Sequence, residues 1–184
     1  MTRIEVLIVG IGGMGIVLAG RILSRAAAIY EGKEVVQTQS YGAEARGTAA
    51  RSEIIISNEK INYPRVRRCD ILVAMSQEGL EKYLSLLKED GVLVYEKYLV
   101  KKIPTSKRLK VLGVPAIEIA EKRVRNRLAA NVVIISAMSC FTGLISKNSL
   151  KKAIVDIVPK AMREVNLKAV EEGIKFLKTF NETN

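Results

Sequence analysis

Two glycine-rich segments hold the residues whose types and spacing suit chemistry. The first, Gly10-Ile11-Gly12-Gly13-Met14-Gly15, satisfies G-x-G-x-x-G and separates an apolar run from a helical pattern. Glycines permit a tight turn and close backbone approach. The first turn of the following helix offers unpaired N–H groups and the positive end of the helix dipole. Such a turn receives phosphate or carboxylate, which makes Gly12, Gly13, Met14 and Gly15 candidate cofactor-binding residues. The alternatives are glycines that only let a helix pack closely on a sheet, or a true NAD or FAD site. The second segment is Ser40-Tyr41-Gly42-Ala43-Glu44-Ala45-Arg46-Gly47-Thr48. Arg46 can clasp a carboxylate or phosphate through two parallel hydrogen bonds, and Glu44 can orient that guanidinium or pair with a partner subunit. Ser40, Tyr41, Gly42, Glu44, Arg46 and Gly47 complete the candidate set. The rival reading is an exposed hairpin loop with an internal salt bridge.

The residues that are missing exclude several chemistries. A dinucleotide site usually places Asp or Glu at the end of the second strand to hold a ribose, and here that strand ends Gln37-Thr38-Gln39-Ser40. There is no histidine, so Ser–His and Cys–His nucleophile pairs cannot form within the chain. Cys69 and Cys140 are too few for an iron–sulfur cluster, which needs four ligands, or for structural zinc. No residue is assigned as catalytic or as a metal ligand, and both thiols are expected reduced and buried.

The elements that must position these segments follow from hydropathy patterning. Residues 4–9 are almost continuously apolar, as in a parallel strand covered on both faces. Ile16, Ala19, Leu23 and Ala27 then recur at helical spacing until Gly32, and 34–39 read as a second strand. Residues 50–57 make a strand with no helix before it, hence a local hairpin. Residues 71–75, 92–95 and 110–114 read as further buried strands. Ser76 caps a helix bearing Leu80, Tyr83, Leu84 and Leu87, closed by Gly91. From Ala116 the pattern turns helical: 128–141 are apolar nearly all round, a short helix starts at Ser149 and ends near Pro159, and a last helix carries Met162, Val165, Ala169, Val170, Ile174 and Leu177 on one face.

The predicted fold is therefore α/β: a doubly wound, Rossmann-like, mostly parallel sheet with helices on both faces, a local antiparallel hairpin and a helical C-terminal third. With 184 residues, 48% of them apolar, and no linker or repeat, it reads as one domain over 1–184. The two motifs are expected at one end of the sheet, following adjacent parallel strands. A net charge of +11 attracts nucleic acid, a phosphorylated cofactor or an acidic protein, unless it only populates a solvated surface. Six Tyr and three Phe without a basic–aromatic stripe speak against nucleic acid. No run approaches a membrane span and 4–9 is too short for a signal peptide, so a cytoplasmic protein is expected.

Strand, Gly-Ile-Gly-Gly-Met-Gly, Ala19-Gly20-Arg21-Ile22-Leu23 and Ser-Tyr-Gly-x-Glu-x-Arg-Gly together resemble the gamma subunit of 2-oxoacid:ferredoxin oxidoreductases. The similarity runs on through Ile55-Ile56-Ser57, Asp70-Ile71-Leu72-Val73-Ala74, Gly113-Val114-Pro115-Ala116, Asn131 and Asn166-Leu167-Lys168-Ala169, nearly the whole chain in one order. The Ser-Tyr-Gly form is closer to the 2-oxoglutarate, pyruvate and branched-chain (2-oxoisovalerate) types than to the indolepyruvate type. Met14 stands where the family commonly has Gln and Thr48 where a second Gly is common. Met14 cannot make an amide's hydrogen bonds, but the backbone N–H groups remain. The resemblance implies CoA-dependent oxidative decarboxylation of a 2-oxoacid to acyl-CoA and carbon dioxide with reduction of ferredoxin. It implies alpha and beta subunits carrying thiamine diphosphate and magnesium, a ferredoxin-like delta subunit or other cysteine-rich partner carrying iron–sulfur clusters, and coenzyme A near this chain, which is inactive alone. A free-standing dinucleotide-binding protein is the alternative.

Overall fold

Val6, Leu7, Ile8 and Val9 point alternately to opposite faces of a strand, so a continuous apolar run is stable only with both faces covered. A computed structural model describes residues 3–40, 49–104 and 108–183, and it buries all four of these side chains. They lie in β1 (Arg3–Ile11), an interior strand of a six-stranded sheet ordered β2-β3-β1-β4-β5-β6. β2 (Glu34–Ser40) pairs with β3 (Ala49–Ser57), and β3 with β1, both antiparallel. β4 (Cys69–Ala74), β5 (Leu87–Glu96) and β6 (Lys110–Val114) continue from β1 in parallel. Five strands thus run one way and β3 alone opposes them, a mostly parallel sheet with one hairpin.

The faces are covered unequally. One carries α1 (Ile16–Arg25), α3 (Ala116–Ile119), α4 (Ala130–Thr142), α5 (Lys147–Ile157) and α6 (Lys160–Thr183), packed over Val6, Ile8, Ile54, Val73, Val94 and Leu112. The other carries only α2 (Gln77–Tyr83) and irregular segments, over Leu7, Val9, Leu72 and Leu93. Part of that cover is the connection after β3. Buried Glu53 holds it down by accepting the Val66 N–H at 3.1 Å while pairing with Arg51 and Arg65. The connection after β1 crosses the first face to β2, and that after β4 crosses the second face to β5. The crevice at the carboxyl ends of β1 and β4 is therefore the topological switch point, where open α/β sheets place ligands.

Four expectations are corrected. β2 is not beside β1, because β3 inserts between them. Gly91 does not close a helix: α2 ends at Tyr83, a 3-10 turn follows, and Gly91 sits in β5, opposite an irregularity between Cys69 and Ile71. A Cβ at Gly91 would meet Leu87 Cδ1 at 2.6 Å and Lys88 O at 2.9 Å, so the glycine serves a tight strand irregularity. Leu128 is not in the buried helix; it belongs to a 3-10 turn, Arg127–Ala129, and is exposed. Only Cys69 is buried, its thiol pushed up to about 12 chiefly by desolvation, whereas Cys140 is exposed.

Candidate functional site

At the end of β1 the Met14 N–H donates to the Ile11 carbonyl at 3.2 Å and closes a turn into α1. Gly15 has φ +71° and forms the N-cap without a side-chain hydrogen bond. Asn131, buried on α4, locks it from above: Nδ2 donates to the Gly15 carbonyl at 2.9 Å and Oδ1 accepts the Val132 N–H at 2.9 Å. Any side chain at 15 would collide with that amide. The outer half of the turn is open. Gly12 and Gly13 are exposed, and the space where a Gly13 Cβ would stand is empty to 4 Å. Among the described residues, the amides of Gly12, Gly13 and Gly15 have no protein acceptor. The motif thus divides into a packing half, Gly15, and a half whose N–H groups can receive an anion.

Across the crevice, the Met75 N–H donates to the Val9 carbonyl at 2.8 Å, and Ser76 caps α2 as the sequence predicts, accepting the Gly79 N–H at 3.1 Å. Beside the turn lies a cleft of about 90 Å³ lined by Gly13, Met14, Met75, Ile117, Arg127 and Leu128. Cofactor pockets usually enclose roughly 300–1,000 Å³. This cleft can seat one group of a ligand but cannot enclose a cofactor. A groove of about 550 Å³, lined by Arg21, Ser24, Arg25, Gln37 and Asp156 among others, runs outside α1 and β2, away from the switch point.

Strand register places the ends of the second motif. Ala49 pairs with Ile11, and half-buried Ser40 pairs with Arg51. Both ends therefore stand at the edge that carries the glycine turn, although β3 rather than direct adjacency brings them there. Tyr41, Gly42, Glu44, Arg46, Gly47 and Thr48 lie outside the described residues. Arg51 pairs with Glu53 at 3.1 Å and lies 5.5 Å from the centre of the Tyr83 ring, while its buried Nε has no acceptor among the described residues. The interposed β3 also disfavours the dinucleotide alternative. The end of β2, which would hold a ribose, is a full strand further from the glycine turn than that use requires, and it carries no acid.

Sequence reasoning passed over Glu96 and, as a site residue, Asn131. Glu96 is fully buried at the carboxyl end of β5. Its Oε2 accepts the N–H groups of Tyr98 at 2.8 Å and Leu99 at 2.7 Å, and Oε1 that of Ile117 at 3.4 Å. A lone acid ending a buried parallel strand was the available signal. For Asn131 it was an amide inside an apolar helix. Nearby, Lys122, and after it Tyr98, hydrogen-bonds Glu118 and holds its carboxyl below the ordinary range. Among the described residues no three His, Cys, Asp or Glu side chains could hold a metal ion, and no helix is long and apolar enough to cross a membrane.

Comparison with known proteins extends these observations. The family model described as pyruvate ferredoxin/flavodoxin oxidoreductase matches residues 5–176. The 2-oxoglutarate synthase subunit KorC of Methanocaldococcus jannaschii is 44% identical over 178 residues, covering 96% of this chain and 95% of that protein. The crystal structure of a keto/oxoacid ferredoxin oxidoreductase gamma subunit from Geobacter sulfurreducens superimposes with TM-score 0.84 at 40% identity, covering 96% of this chain and 99% of that one. The same fold, at TM-score 0.84 and 24% identity, occupies 32% of a longer chain of the 2-oxoglutarate:ferredoxin oxidoreductase from Magnetococcus marinus, solved with 2-oxoglutarate, coenzyme A and succinyl-CoA; it covers 97% of this chain.

Proposed function

The chain belongs to the pyruvate ferredoxin/flavodoxin oxidoreductase family as a gamma subunit of the 2-oxoacid:ferredoxin oxidoreductases, and we propose that it supplies one wall of a coenzyme A and thiamine environment completed by its partners. Its relatives are subunits of oxidoreductases acting on 2-oxoacids. The observation that carries the proposal is the open half of the glycine turn: amides of Gly12 and Gly13 with no acceptor among the described residues, at the switch point and beside a cleft of about 90 Å³. Gly12 and Gly13 offer N–H groups to a phosphate of coenzyme A. Met14 contributes apolar surface and Gly15 sets the turn; Ser40, Tyr41, Gly42, Glu44, Arg46 and Gly47 remain the candidate partners from the second motif, with the Arg46 guanidinium chemically suited to clasp an anionic group. Coenzyme A, when bound, supplies the thiol that accepts the acyl group. Thiamine diphosphate and magnesium are assigned to alpha and beta subunits and the iron–sulfur clusters to a ferredoxin-like delta subunit, with ferredoxin as acceptor. The oxoacid is 2-oxoglutarate, supported by the 44% identical KorC.

The test is to co-express the chain with alpha, beta and delta subunits and follow viologen reduction that requires both oxoacid and coenzyme A. We expect 2-oxoglutarate to be preferred over pyruvate and 2-oxoisovalerate; equal rates would sink the substrate assignment. Arg46→Ala should remove a charge-assisted contact of about 1.5–3 kcal/mol, raising the KM for coenzyme A or weakening assembly roughly ten- to a hundredfold. Arg46→Lys keeps charge without the planar fork and should fall between. Should Arg46→Ala leave both unchanged, or unfold the isolated chain, Arg46 is structural and the site assignment fails.

A further inference from the structure

Resting on the family reading, we propose that the sheet's carboxyl edge beyond the glycine turn is a preformed docking crest for one partner subunit, whose matching surface is apolar at its centre and acidic at its rim. Seven large hydrophobic side chains are exposed among the described residues, and three of them converge here: Leu128 at 69%, Tyr98 at 49% and Leu99 at 37%. They form one patch. Tyr98 and Leu99 line a shallow groove with Ile117 and Arg127, and the same Ile117 and Arg127 line the adjoining cleft with Leu128. Single exposed hydrophobics are ordinary, but a contiguous group marks an interaction surface.

The crest is braced from below. The fully buried Glu96 carboxylate takes the N–H groups of Tyr98, Leu99 and Ile117, the residues that form one side of the groove. On the other side, Arg125 adopts φ +68°, the only non-glycine in the left-handed region among the described residues. It lets the Asn126 N–H reach the Ala120 carbonyl at 2.9 Å, and Asn126 Oδ1 then accepts the Leu128 N–H at 3.0 Å. Hydrogen-bonded polar groups, one of them the buried Glu96, thus fix exposed apolar ones. This suits binding, because side chains held on a rigid backbone lose less freedom when a partner arrives.

Charge selects the occupant. Lys97, Lys101, Lys122, Arg125 and Arg127 ring the crest and are all exposed, against two acids, Glu118 and Glu121, which are already paired with Lys122 and Arg127. The excess is three positive charges. A second copy of this chain would bring the same sign to the same place, whereas an acidic rim is attracted and oriented. The apolar centre has no role toward a phosphate backbone.

The experiment titrates the purified chain into the co-expressed complex lacking it and measures association. Leu128→Asp and Tyr98→Ala should weaken binding by roughly thirtyfold, the level of interface hot spots. The double variant Lys97→Glu/Lys101→Glu should slow association and blunt its dependence on salt. The isolated variants should melt as the unmodified chain does, and Val155→Asp, exposed but outside the crest, should bind normally. Undiminished binding by Leu128→Asp, or equal loss with Val155→Asp, overturns the crest while leaving the gamma-subunit reading intact. A self-associated chain that Leu128→Asp makes monomeric overturns the acidic partner in favour of a second copy. Failure of the unmodified chain to join any of the subunits overturns both readings.

Discussion

A carboxylate can be fully buried only where hydrogen bonds replace its water, and Glu96 obtains them from three backbone N–H groups. Asn131 plays a similar part at the glycine turn, where its amide answers one carbonyl and one N–H. Neither role is legible from residue type, because each depends on backbone groups that only the fold brings near. The two thiols differ for the same reason. Cys140 lies in the apolar stretch Ala137-Met138-Ser139-Cys140-Phe141, yet helical rotation turns it outward, whereas Cys69 opens a buried strand. Burial favours the neutral thiol, so the Cys69 pKa rises from 9.0 to about 12. Because the folded value lies above the unfolded one, this contribution to stability is whole below about pH 9 and is lost as pH climbs toward about 12. An aromatic disulfide reagent at about pH 8 should therefore label one thiol per native chain, at Cys140, and a second only on denaturation. Labelling of both in the native chain, or loss of all labelling in Cys69→Ala, would contradict that assignment.

The elements were largely legible because periodicity is a local property. The run at 4–9, the helical spacing of Ile16, Ala19 and Leu23, and the boundaries of β6 read directly into structure. Strand order did not, since pairing is non-local: nothing in residues 49–57 says that β3 inserts between β1 and β2 rather than at the edge. The start of α4 was also hidden. An unbroken apolar run gives no sign that Leu128 leaves the helix, although Asn126, two residues before it, is the residue that caps the turn. Gly12 to Gly15 are positioned by β1, α1 and α4. α1 also packs on β3, and Gly20 is the tightest point of that packing. A Cβ there would collide with Ser52 Oγ and approach Gln37 Nε2 to 2.8 Å, where the Gln37–Ser52 hydrogen bond of 3.0 Å now lies. Gly20→Ala should destabilise the isolated chain by about 1–3 kcal/mol, the range for overpacking, although alanine is the better helix former. Chemical denaturation with an unchanged m-value checks this, and a variant as stable as the unmodified chain would show that α1 can move freely on β3.

At the scale of the whole molecule, a well-buried core coexists with an incomplete site. Both faces of the sheet pack apolar clusters built from the chain's own residues. The sequence holds no histidine and only two cysteines, and among the described residues the cleft beside the glycine turn measures about 90 Å³. Oxidation of a 2-oxoacid requires an electron sink for the carbanion and a carrier for the released electrons, which in this family's chemistry are cofactors rather than side chains. On the one-wall proposal, the chain should be separable from activity without loss of structure. Purified by itself, it should give a cooperative thermal transition, no visible absorption band and no 2-oxoacid-dependent viologen reduction. Adding it to a complex that lacks it should restore turnover in proportion to the chain added, saturating at the stoichiometry of the assembly. An iron–sulfur absorption band in the isolated chain, or dye reduction without partners, would show that it holds chemistry of its own and would end the one-wall account. Full turnover by the complex without this chain would end it from the other side, since the glycine turn would then contribute nothing to the site.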